Sequence, residues 1–390
     1  MATEMIKSVP MDISAILRPE VKDFAPYLPG KPLAEVRREL GLRKIVKLAS
    51  NENALGASPK AMKAVRASRD IHRYPEGPGT PLRRELAGKL GVRFEETILG
   101  AGSDELIEIL AKTFFNRGDE IVVSEHAFIR YKMAGDLLGI RTVSVPMRGF
   151  THDLPAMAGR VGPRTKAVFI ANPNNPTGTY VSRNEVDRFF EIISRRAGDL
   201  GWTGGRQGPA APLIVFDEAY YEFARELAPD YPETLEIFKK GFNVVVLRTF
   251  SKVHGLAGLR IGYGVARSDV AAAMDRVRPP FNVSSVAQDA ALAALSDPGH
   301  VRRSASLVKR ELAKVAGGLE KIGLRAVPSA GNFLLVDAAP RTGADLFRKL
   351  LAKGVIVRAL DEYGYPNCVR VTIGRPDENR FLLKKLKEIL

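Results

Sequence analysis

The chain has 390 residues, of which 45% are hydrophobic and 26% charged, a composition that excludes global disorder. This length exceeds what a single core usually fills and predicts two lobes. The net charge is +15, but the basic residues are spread along the chain, without zinc-ligand spacing or an RNA-binding aromatic signature. We therefore expect anionic small molecules as partners, with no nucleic acid and no metal.

The apolar runs are short. Segments such as "PLIVF" and "NVVVL" fall far below the roughly 20 residues that a membrane helix needs. The N-terminal residues contain no continuous hydrophobic segment, so we expect no signal peptide and no membrane partner. A single cysteine, Cys368, excludes an internal disulfide. These features predict a cytoplasmic protein.

The predicted elements begin with an arm. Residues 1–48 are expected to form an N-terminal arm and part of a small domain, with prolines in "FAPYLPGKP", a helix at "LAEVRRELG" and a strand at "IVKLAS". From Thr97 onward, strands are predicted at "TILG", "EIVVSE", "RTVSVP", "KAVFIAN", "PLIVFDEAY" and "NVVVLRTF", most of them separated by helices. Short β-branched runs between helices predict a parallel sheet covered on both faces. Residues 49–280 are therefore expected to form a large α/β/α domain.

The pattern changes after Arg278. Two helices are predicted at "AQDAALAALS" and "HVRRSASLVKRELAKVAGGLEKIG", followed by strands at "NFLLVD", "VIVRAL" and "CVRVTIG" and a closing helix. This mixture predicts a smaller α+β domain over residues 281–390. The Gly- and Pro-rich stretch at residues 199–212 is expected to be a surface loop.

Polar residues follow several predicted strands, at the sheet edge where open parallel sheets bind ligands. In "ILGAGSDELI" a helix is expected to start near Ser103, and its free N–H groups suit a phosphate, although a plainly capped helix has the same residues. In "ANPNNPTG" the prolines favour a rigid turn that could aim the amide of Asn175 at a ligand, or a plain loop. In "LIVFDEAYYEF" the carboxylate of Asp217 is expected to be buried and to need a partner, which could be a ligand, a salt bridge or a helix cap. Tyr220, three residues further on, could face the same site.

The stretch "RTFSKVHGLAGLR" places Lys252 at the end of a strand. A partly desolvated lysine is a nucleophilic amine, whereas a lysine taken alone more often lies on the surface. Ser251 and Arg260 could hold a phosphate. An amine, a carboxylate, a phenol and a phosphate site at one sheet edge match the needs of pyridoxal phosphate.

These motifs carry a family resemblance. The chain resembles the fold-type I aminotransferases of the class I/II group, and most closely the histidinol-phosphate aminotransferases, from "PYLPGKP" through "RYPEG", "NPNNPTG", "DEAY" and "TFSKVHGLAGLRIGYG" to "CVRVTIG". The resemblance implies pyridoxal 5'-phosphate as cofactor. It implies that Lys252 forms the Schiff base and moves the proton, that Asp217 pairs with the ring nitrogen, and that Asn175 and Tyr220 bond the ring oxygen. The groups implied to hold the phosphate are Ser251, Arg260 and the amides of Gly102, Ser103 and Asp104.

The remaining implied roles concern the ring, the substrate and a second subunit. Phe128 would stack on the ring, where relatives often have Tyr. Tyr74 of "RYPEG" would reach the phosphate of a neighbouring subunit, which implies a homodimer. Tyr27 would help close the site. Arg370 would bind the anionic end of the substrate, and Arg358 would add charge nearby or lie at an exposed strand end.

The implied reaction transfers an amino group from a small-molecule donor to an acceptor: histidinol phosphate and 2-oxoglutarate give imidazole acetol phosphate and glutamate. An aromatic amino acid aminotransferase and a lyase similar to threonine-phosphate decarboxylase stay open as alternatives, and a non-enzymatic DNA-binding regulator is disfavoured. The chain departs from many relatives at Ala54, where they have Pro, at Phe128, and in the length of the 199–212 loop.

Overall fold

The computed structural model describes residues 13–22, 24–26, 33–202 and 211–390. Tyr27 lies outside the described residues, and so does most of the predicted 199–212 loop. Within the described ranges, no helix combines the length and apolarity needed to cross a bilayer.

The described residues form thirteen strands and fifteen α-helices. The strands are β1 (Val46–Lys47), β2 (Thr97–Gly100), β3 (Glu120–Ser124), β4 (Arg141–Val145), β5 (Thr165–Ala171), β6 (Leu213–Asp217), β7 (Val244–Thr249), β8 (Gly262–Val265), β9 (Arg325–Ala326), β10 (Phe333–Asp337), β11 (Val355–Ile356), β12 (Arg358–Leu360) and β13 (Tyr365–Thr372). The helices are α1 (Pro19–Lys22), α2 (Leu33–Leu40), α3 (Pro59–Ala67), α4 (Thr80–Leu90), α5 (Ser103–Phe114), α6 (Arg130–Asp136), α7 (Leu154–Gly159), α8 (Arg183–Asp199), α9 (Tyr221–Leu227), α10 (Thr234–Lys239), α11 (Ser268–Val277), α12 (Ser285–Leu295), α13 (Pro298–Glu320), α14 (Gly343–Ala352) and α15 (Pro376–Ile389).

A seven-stranded sheet organises the larger lobe. Its strand order is β2-β8-β7-β6-β5-β3-β4, and all its strands run parallel except β8, which is antiparallel to both neighbours. Side chains alternate between two cores: Val122 and Val168 face the core that holds α8 and α12, whereas Ile121 and Phe169 face the core of α5 and α11. Because both faces of the central strands are buried, β3, β5, β6 and β7 are largely apolar, whereas the edge strand β4 is partly exposed. The predicted α/β/α architecture with a mostly parallel sheet is confirmed.

The smaller lobe has an antiparallel sheet in the order β12-β13-β10-β9, and α13, α14 and α15 contribute to its core. The predicted single strand "VIVRAL" is wrong in one respect, because it is split into two strands that belong to different sheets. Val355 and Ile356 pair in parallel with β1, whereas Arg358 begins an antiparallel ladder with β13. The pairing of β1 with β11 joins residues 46–47 to this lobe.

Helix α12 packs in the core of the larger lobe. Its residues Ala287, Ala290, Ala291 and Ala294 are buried, and the helix makes extensive contact with α3. Small side chains on one face allow this close helix–helix approach. The domain division at residue 280 stays a prediction, and this packing favours a division after Leu295.

Candidate active site

The carboxyl ends of the central strands open into one cavity of about 230 Å³. The end of β5 leads to Asn175, β6 ends at Asp217, and β7 leads to Lys252, while α5 begins directly beyond β2. The predicted site residues that line this cavity are Ser103, Asp104, Phe128, Asn175, Asp217, Tyr220, Ser251, Lys252 and Arg260. The parallel topology brings these distant positions together at a single sheet edge.

Asp217 is the buried acid of this cavity, with 5% of its surface exposed. The hydroxyl of Tyr131 donates to its Oδ2 at 2.8 Å, and the amide of Ala219 donates to its Oδ1 at 3.2 Å. Burial is the largest effect on this carboxyl and raises its pKa to about 6, although the bond from Tyr131 and the charge of Lys252 offset part of the shift. Both hydrogen-bond donors are neutral, so the carboxylate has room for a cationic partner in the cavity.

Two neutral donors are oriented toward the cavity by their own neighbours. Arg370 donates to Oδ1 of Asn175, which identifies that atom as the oxygen and leaves the Nδ2 group of Asn175 to donate elsewhere. The amide of Asn51 donates to the hydroxyl oxygen of Tyr220 at 2.9 Å, so the phenolic hydrogen of Tyr220 is also available. Asn175 and Tyr220 both line the cavity, and together they can bind one acceptor oxygen.

A second set of groups, at the start of α5, is suited to hold an anion, and we call it the anion site. The first N–H groups of a helix have no intrahelical acceptor, and its N-terminus carries partial positive charge. Arg260 lies beside this terminus: its Nη1 donates to Ser251 Oγ at 3.4 Å, and its backbone φ is +51°, a left-handed conformation that is costly for arginine. A Cβ at Gly102 would lie 2.6 Å from Nη2 of Arg260, so the glycine leaves room for the guanidinium.

Lys252 is part-buried between these two sets of groups. Its Nζ donates to the carbonyl oxygen of Ser50 at 3.4 Å and lies 5.5 Å from the centre of the Tyr220 ring. Ser50 itself lines the cavity. The amine therefore faces the cavity with one weak hydrogen bond, which is a suitable position for reaction with a bound carbonyl group.

The match to known proteins covers most of the chain. Residues 43–386 match the model of the family described as aminotransferase class I and II. The chain belongs to this aminotransferase family. It is 46% identical over 377 residues to a histidinol-phosphate aminotransferase of Anaeromyxobacter sp. (strain Fw109-5), a match that covers 96% of this chain and 99% of that relative.

Two further relatives of this aminotransferase cover similar lengths. A histidinol-phosphate aminotransferase of Moorella thermoacetica is 44% identical over 389 residues, which is 99% of this chain and 95% of the relative. A crystal structure of the histidinol-phosphate aminotransferase from Sinorhizobium meliloti in complex with pyridoxal-5'-phosphate superposes with a TM-score of 0.83 at 26% identity, covering 96% of this chain and 97% of that one. Both matches span nearly the whole length of each protein.

The two arginines predicted to bind substrate are neighbours in the aminotransferase. Arg358 on β12 and Arg370 on β13 are direct cross-strand partners, so their side chains leave the same face of the sheet. Arg370 is buried and also donates to the carbonyl oxygen of Ala49 at 2.7 Å. Arg358 forms an ion pair with Glu362, and both arginines lie outside the cavity lining, although Arg370 contacts Asn175, which is part of it.

Tyr74 is a predicted site residue that lies outside the lining of the cavity of its own chain. It is 83% exposed and stacks on Phe281 with 4.8 Å between the ring centres. The structure therefore keeps Tyr74 on the surface of the aminotransferase.

Sequence reasoning missed Tyr131, Asn51 and Ser50. Tyr131 follows Phe128 by one helical turn, so both rings reach the same region, but a tyrosine in such a segment is typical of an ordinary core position. Asn51 and Ser50 lie in the segment "SNEN", where no local pattern indicates a role for either residue.

Proposed function

We propose that this aminotransferase binds pyridoxal 5'-phosphate in the cavity and transfers amino groups through it. The residues present fit that cofactor. Asp217 is a buried carboxylate whose hydrogen-bond partners are neutral, which suits a protonated ring nitrogen. The α5 N-terminus with Arg260 and Ser251 suits a phosphate. When bound, the cofactor supplies an electrophilic aldehyde carbon and an electron-accepting ring.

Each residue has a part that follows from its surroundings. Lys252 binds the cofactor through Nζ and afterwards, as a free amine, moves a proton to or from the substrate carbon. Asp217 keeps the proton on the ring nitrogen. Asn175 and Tyr220 donate hydrogen bonds to the ring oxygen, and Phe128 packs against the ring. The observation that carries this proposal is that Lys252 and Asp217 line one cavity.

We propose histidinol phosphate as the amino donor and 2-oxoglutarate as the acceptor. Arg358 is already paired with Glu362, whereas the hydrogen bonds of Arg370 go to the neutral oxygens of Asn175 and Ala49, and a planar guanidinium binds phosphate and carboxylate alike. Arg370 therefore binds the anionic end of either substrate, with Arg358 adding charge nearby. The names of the relatives from Anaeromyxobacter and Moorella support the phosphorylated substrate.

We further propose a homodimer in a cytoplasmic compartment. An exposed aromatic pair, Tyr74 and Phe281, is typical of a protein interface, and Tyr74 would reach the cofactor phosphate of the partner subunit. Cys368 is buried and unpaired, which suits a reducing compartment.

A half-reaction tests the reaction and the substrate together. The protein is loaded with pyridoxal 5'-phosphate, and histidinol phosphate, phenylalanine or glutamate is added separately while the cofactor absorbance is recorded. We expect rapid conversion to the pyridoxamine form with histidinol phosphate and glutamate, slow conversion with phenylalanine, and none in Lys252→Ala. Faster conversion with phenylalanine than with histidinol phosphate would replace the proposed substrate by an aromatic amino acid. Release of carbon dioxide without a keto product would make the protein a lyase.

A further inference from the structure

Glu105 lies in the first turn of α5, beside the anion site, and its carboxylate is already bound. Its Oε2 accepts a hydrogen bond from the amide of Ala101 at 2.6 Å, within the turn that joins β2 to α5. The same oxygen accepts a second bond from Nδ2 of Asn282 at 2.5 Å, although these two residues are 177 positions apart in the chain. Glu105 therefore fixes the turn that leads into the anion site and attaches it to a distant segment.

The network continues from Asn282 to the surface loop of residues 74–79, which we call the 74–79 loop. Nη1 of Arg278 donates to Oδ1 of Asn282 at 2.9 Å and to the carbonyl oxygen of Gly77 at 3.0 Å. Phe281, next to Asn282, stacks on Tyr74 at the other end of the loop. The turn before α5 and the 74–79 loop are thus joined by four hydrogen bonds through the side chains of Glu105, Asn282 and Arg278.

The negative charge of Glu105 argues against a direct role of this side chain in anion binding. A carboxylate beside a site for a phosphate dianion repels the ligand, although it is favourable at a helix N-terminus. The carboxylate oxygen accepts two hydrogen bonds at once, and it leaves the amides of Ser103 and Asp104, which follow the turn, without an intrahelical acceptor. The hydrogen bonds of Glu105 to the turn therefore explain its position, whereas its negative charge weakens anion binding.

We infer that Glu105 is a positioning residue. Through Asn282 and Arg278 it connects the phosphate-binding turn to the 74–79 loop, so that the conformations of the two segments depend on each other. The inference rests on the proposed function, because the phosphate is that of pyridoxal 5'-phosphate. In the proposed dimer the loop carries Tyr74 to the partner subunit, so one network would serve the phosphate sites of both subunits.

Binding of two cofactor forms to the apoprotein tests the first half of this inference. Affinities for pyridoxal 5'-phosphate and for pyridoxal, which lacks the phosphate, are measured for the wild type, Glu105→Ala, Glu105→Gln and Asn282→Ala. We expect Glu105→Ala and Asn282→Ala to lose about tenfold in affinity for pyridoxal 5'-phosphate, the effect of one hydrogen bond, and to keep their affinity for pyridoxal within about twofold. Glu105→Gln keeps an oxygen that accepts both bonds, so its affinity should equal or exceed that of the wild type.

Glu108→Ala is the matched control, since Glu108 lies on the same helix and forms an ion pair with Arg130 instead of binding the turn. It should bind both compounds like the wild type. An unchanged affinity of Glu105→Ala for pyridoxal 5'-phosphate would overturn the inference, and so would an equal loss for pyridoxal. If the wild type itself does not bind pyridoxal 5'-phosphate, the proposed function fails as well. If the wild type binds it and Glu105→Ala binds it with the same affinity, only the inference about Glu105 fails.

Hydrogen–deuterium exchange of the apoprotein tests the link to the loop. Glu105→Ala should exchange faster than the wild type both in the turn at residues 101–104 and in the 74–79 loop, and Glu108→Ala should exchange faster in neither. Unchanged exchange of the 74–79 loop in Glu105→Ala would contradict the connection between the two segments.

Discussion

At the scale of single residues, the cavity combines groups whose hydrogen-bonding roles are set by their neighbours. Arg370 fixes the orientation of the Asn175 amide, Asn51 fixes that of the Tyr220 hydroxyl, and Tyr131 holds Asp217. Such preorganisation means that a ligand meets donors that already point in the required direction. The unusual member is Asp217, because its burial favours the protonated form and a cationic ligand would reverse that preference.

The first prediction concerns the pH dependence of apoprotein stability. The pKa of Asp217 is about 6 in the folded state and near 3.9 when unfolded, so its contribution is fully present below about pH 4 and is lost as the pH rises through 6. Relative to Asp217→Asn, which titrates in neither state, the wild type should lose roughly 2 kcal/mol of unfolding free energy between pH 4 and pH 7. Urea unfolding of both apoproteins across this range measures the difference. Parallel stability curves would show that burial does not perturb the carboxyl.

The second prediction concerns Tyr131. Tyr131→Phe removes the hydrogen bond that lowers the pKa of Asp217, so the carboxyl should hold its proton more tightly and support a ring-nitrogen cation less well. We expect kcat to fall about tenfold with little change in KM, because the lost bond acts on charge that develops during the reaction. Tyr180→Phe is the control, since it removes a similar bond to Asp230 away from the cavity. Equal kinetics for the two variants would contradict this role.

At the scale of elements, a buried ion pair joins the ends of two strands that carry site residues. Glu218, which directly follows Asp217 and β6, accepts a hydrogen bond from Nε of Arg248 on β7 at 2.8 Å, and Nη2 of Arg248 lies 2.7 Å from the same carboxylate oxygen. Both side chains are almost completely buried. The guanidinium also stacks on the ring of Tyr221, 3.4 Å from its centre. The pair therefore links the segment that carries Asp217 to the strand that leads to Lys252.

The third prediction follows from breaking that pair. Glu218→Ala leaves the buried guanidinium of Arg248 without its counter-ion, which typically costs about 3–5 kcal/mol of unfolding free energy. The double variant Glu218→Ala with Arg248→Met should recover most of this loss, since it leaves no buried charge uncompensated. Urea unfolding of the single and double variants provides the comparison. A double variant no more stable than Glu218→Ala would rule out the uncompensated charge as the cause.

The elements that the sequence predicted well are those whose pattern depends on local burial. The strands β3, β5, β6 and β7 agree with the structure because strands buried on both faces are largely apolar. The predicted helix start at Ser103 also agrees. The segment "VIVRAL" was harder to predict, since its break depends on two different pairing partners, β1 and β13, that are distant in sequence. The same holds for α12, whose alanines gave no indication of which lobe they join.

At the scale of the whole molecule, the arrangement of the site depends on contacts that no local pattern contains. The bonds from Tyr131 to Asp217 and from Asn282 to Glu105 join residues 86 and 177 positions apart. The family motifs marked Lys252, Asp217 and Asn175 directly, whereas these supporting partners became visible only in the folded chain. Residues in family motifs can therefore be identified from the sequence, whereas the residues that position them are much harder to identify without the structure.

The fourth prediction tests the proposed dimer by complementation. If Tyr74 completes the site of the partner subunit, then Lys252→Ala and Tyr74→Ala chains, each impaired alone, form heterodimers in which one of the two sites is intact. Equal refolded mixtures should recover about one quarter of wild-type activity, since half of the dimers are mixed and each has one intact site. A mixture no more active than the average of its two parents would place Tyr74 outside the partner's site.

The central claim is that Lys252 is the lysine that binds the cofactor. In the most direct measurement, the protein is treated with pyridoxal 5'-phosphate, and borohydride reduces the bond between the lysine and the cofactor to a stable amine. Peptide mass spectrometry then locates the modified lysine. We predict one pyridoxyl group per chain, carried by the peptide that contains Lys252 and missing from Lys252→Ala. Modification of a different lysine, or an equal spread over surface lysines in both proteins, would contradict the account.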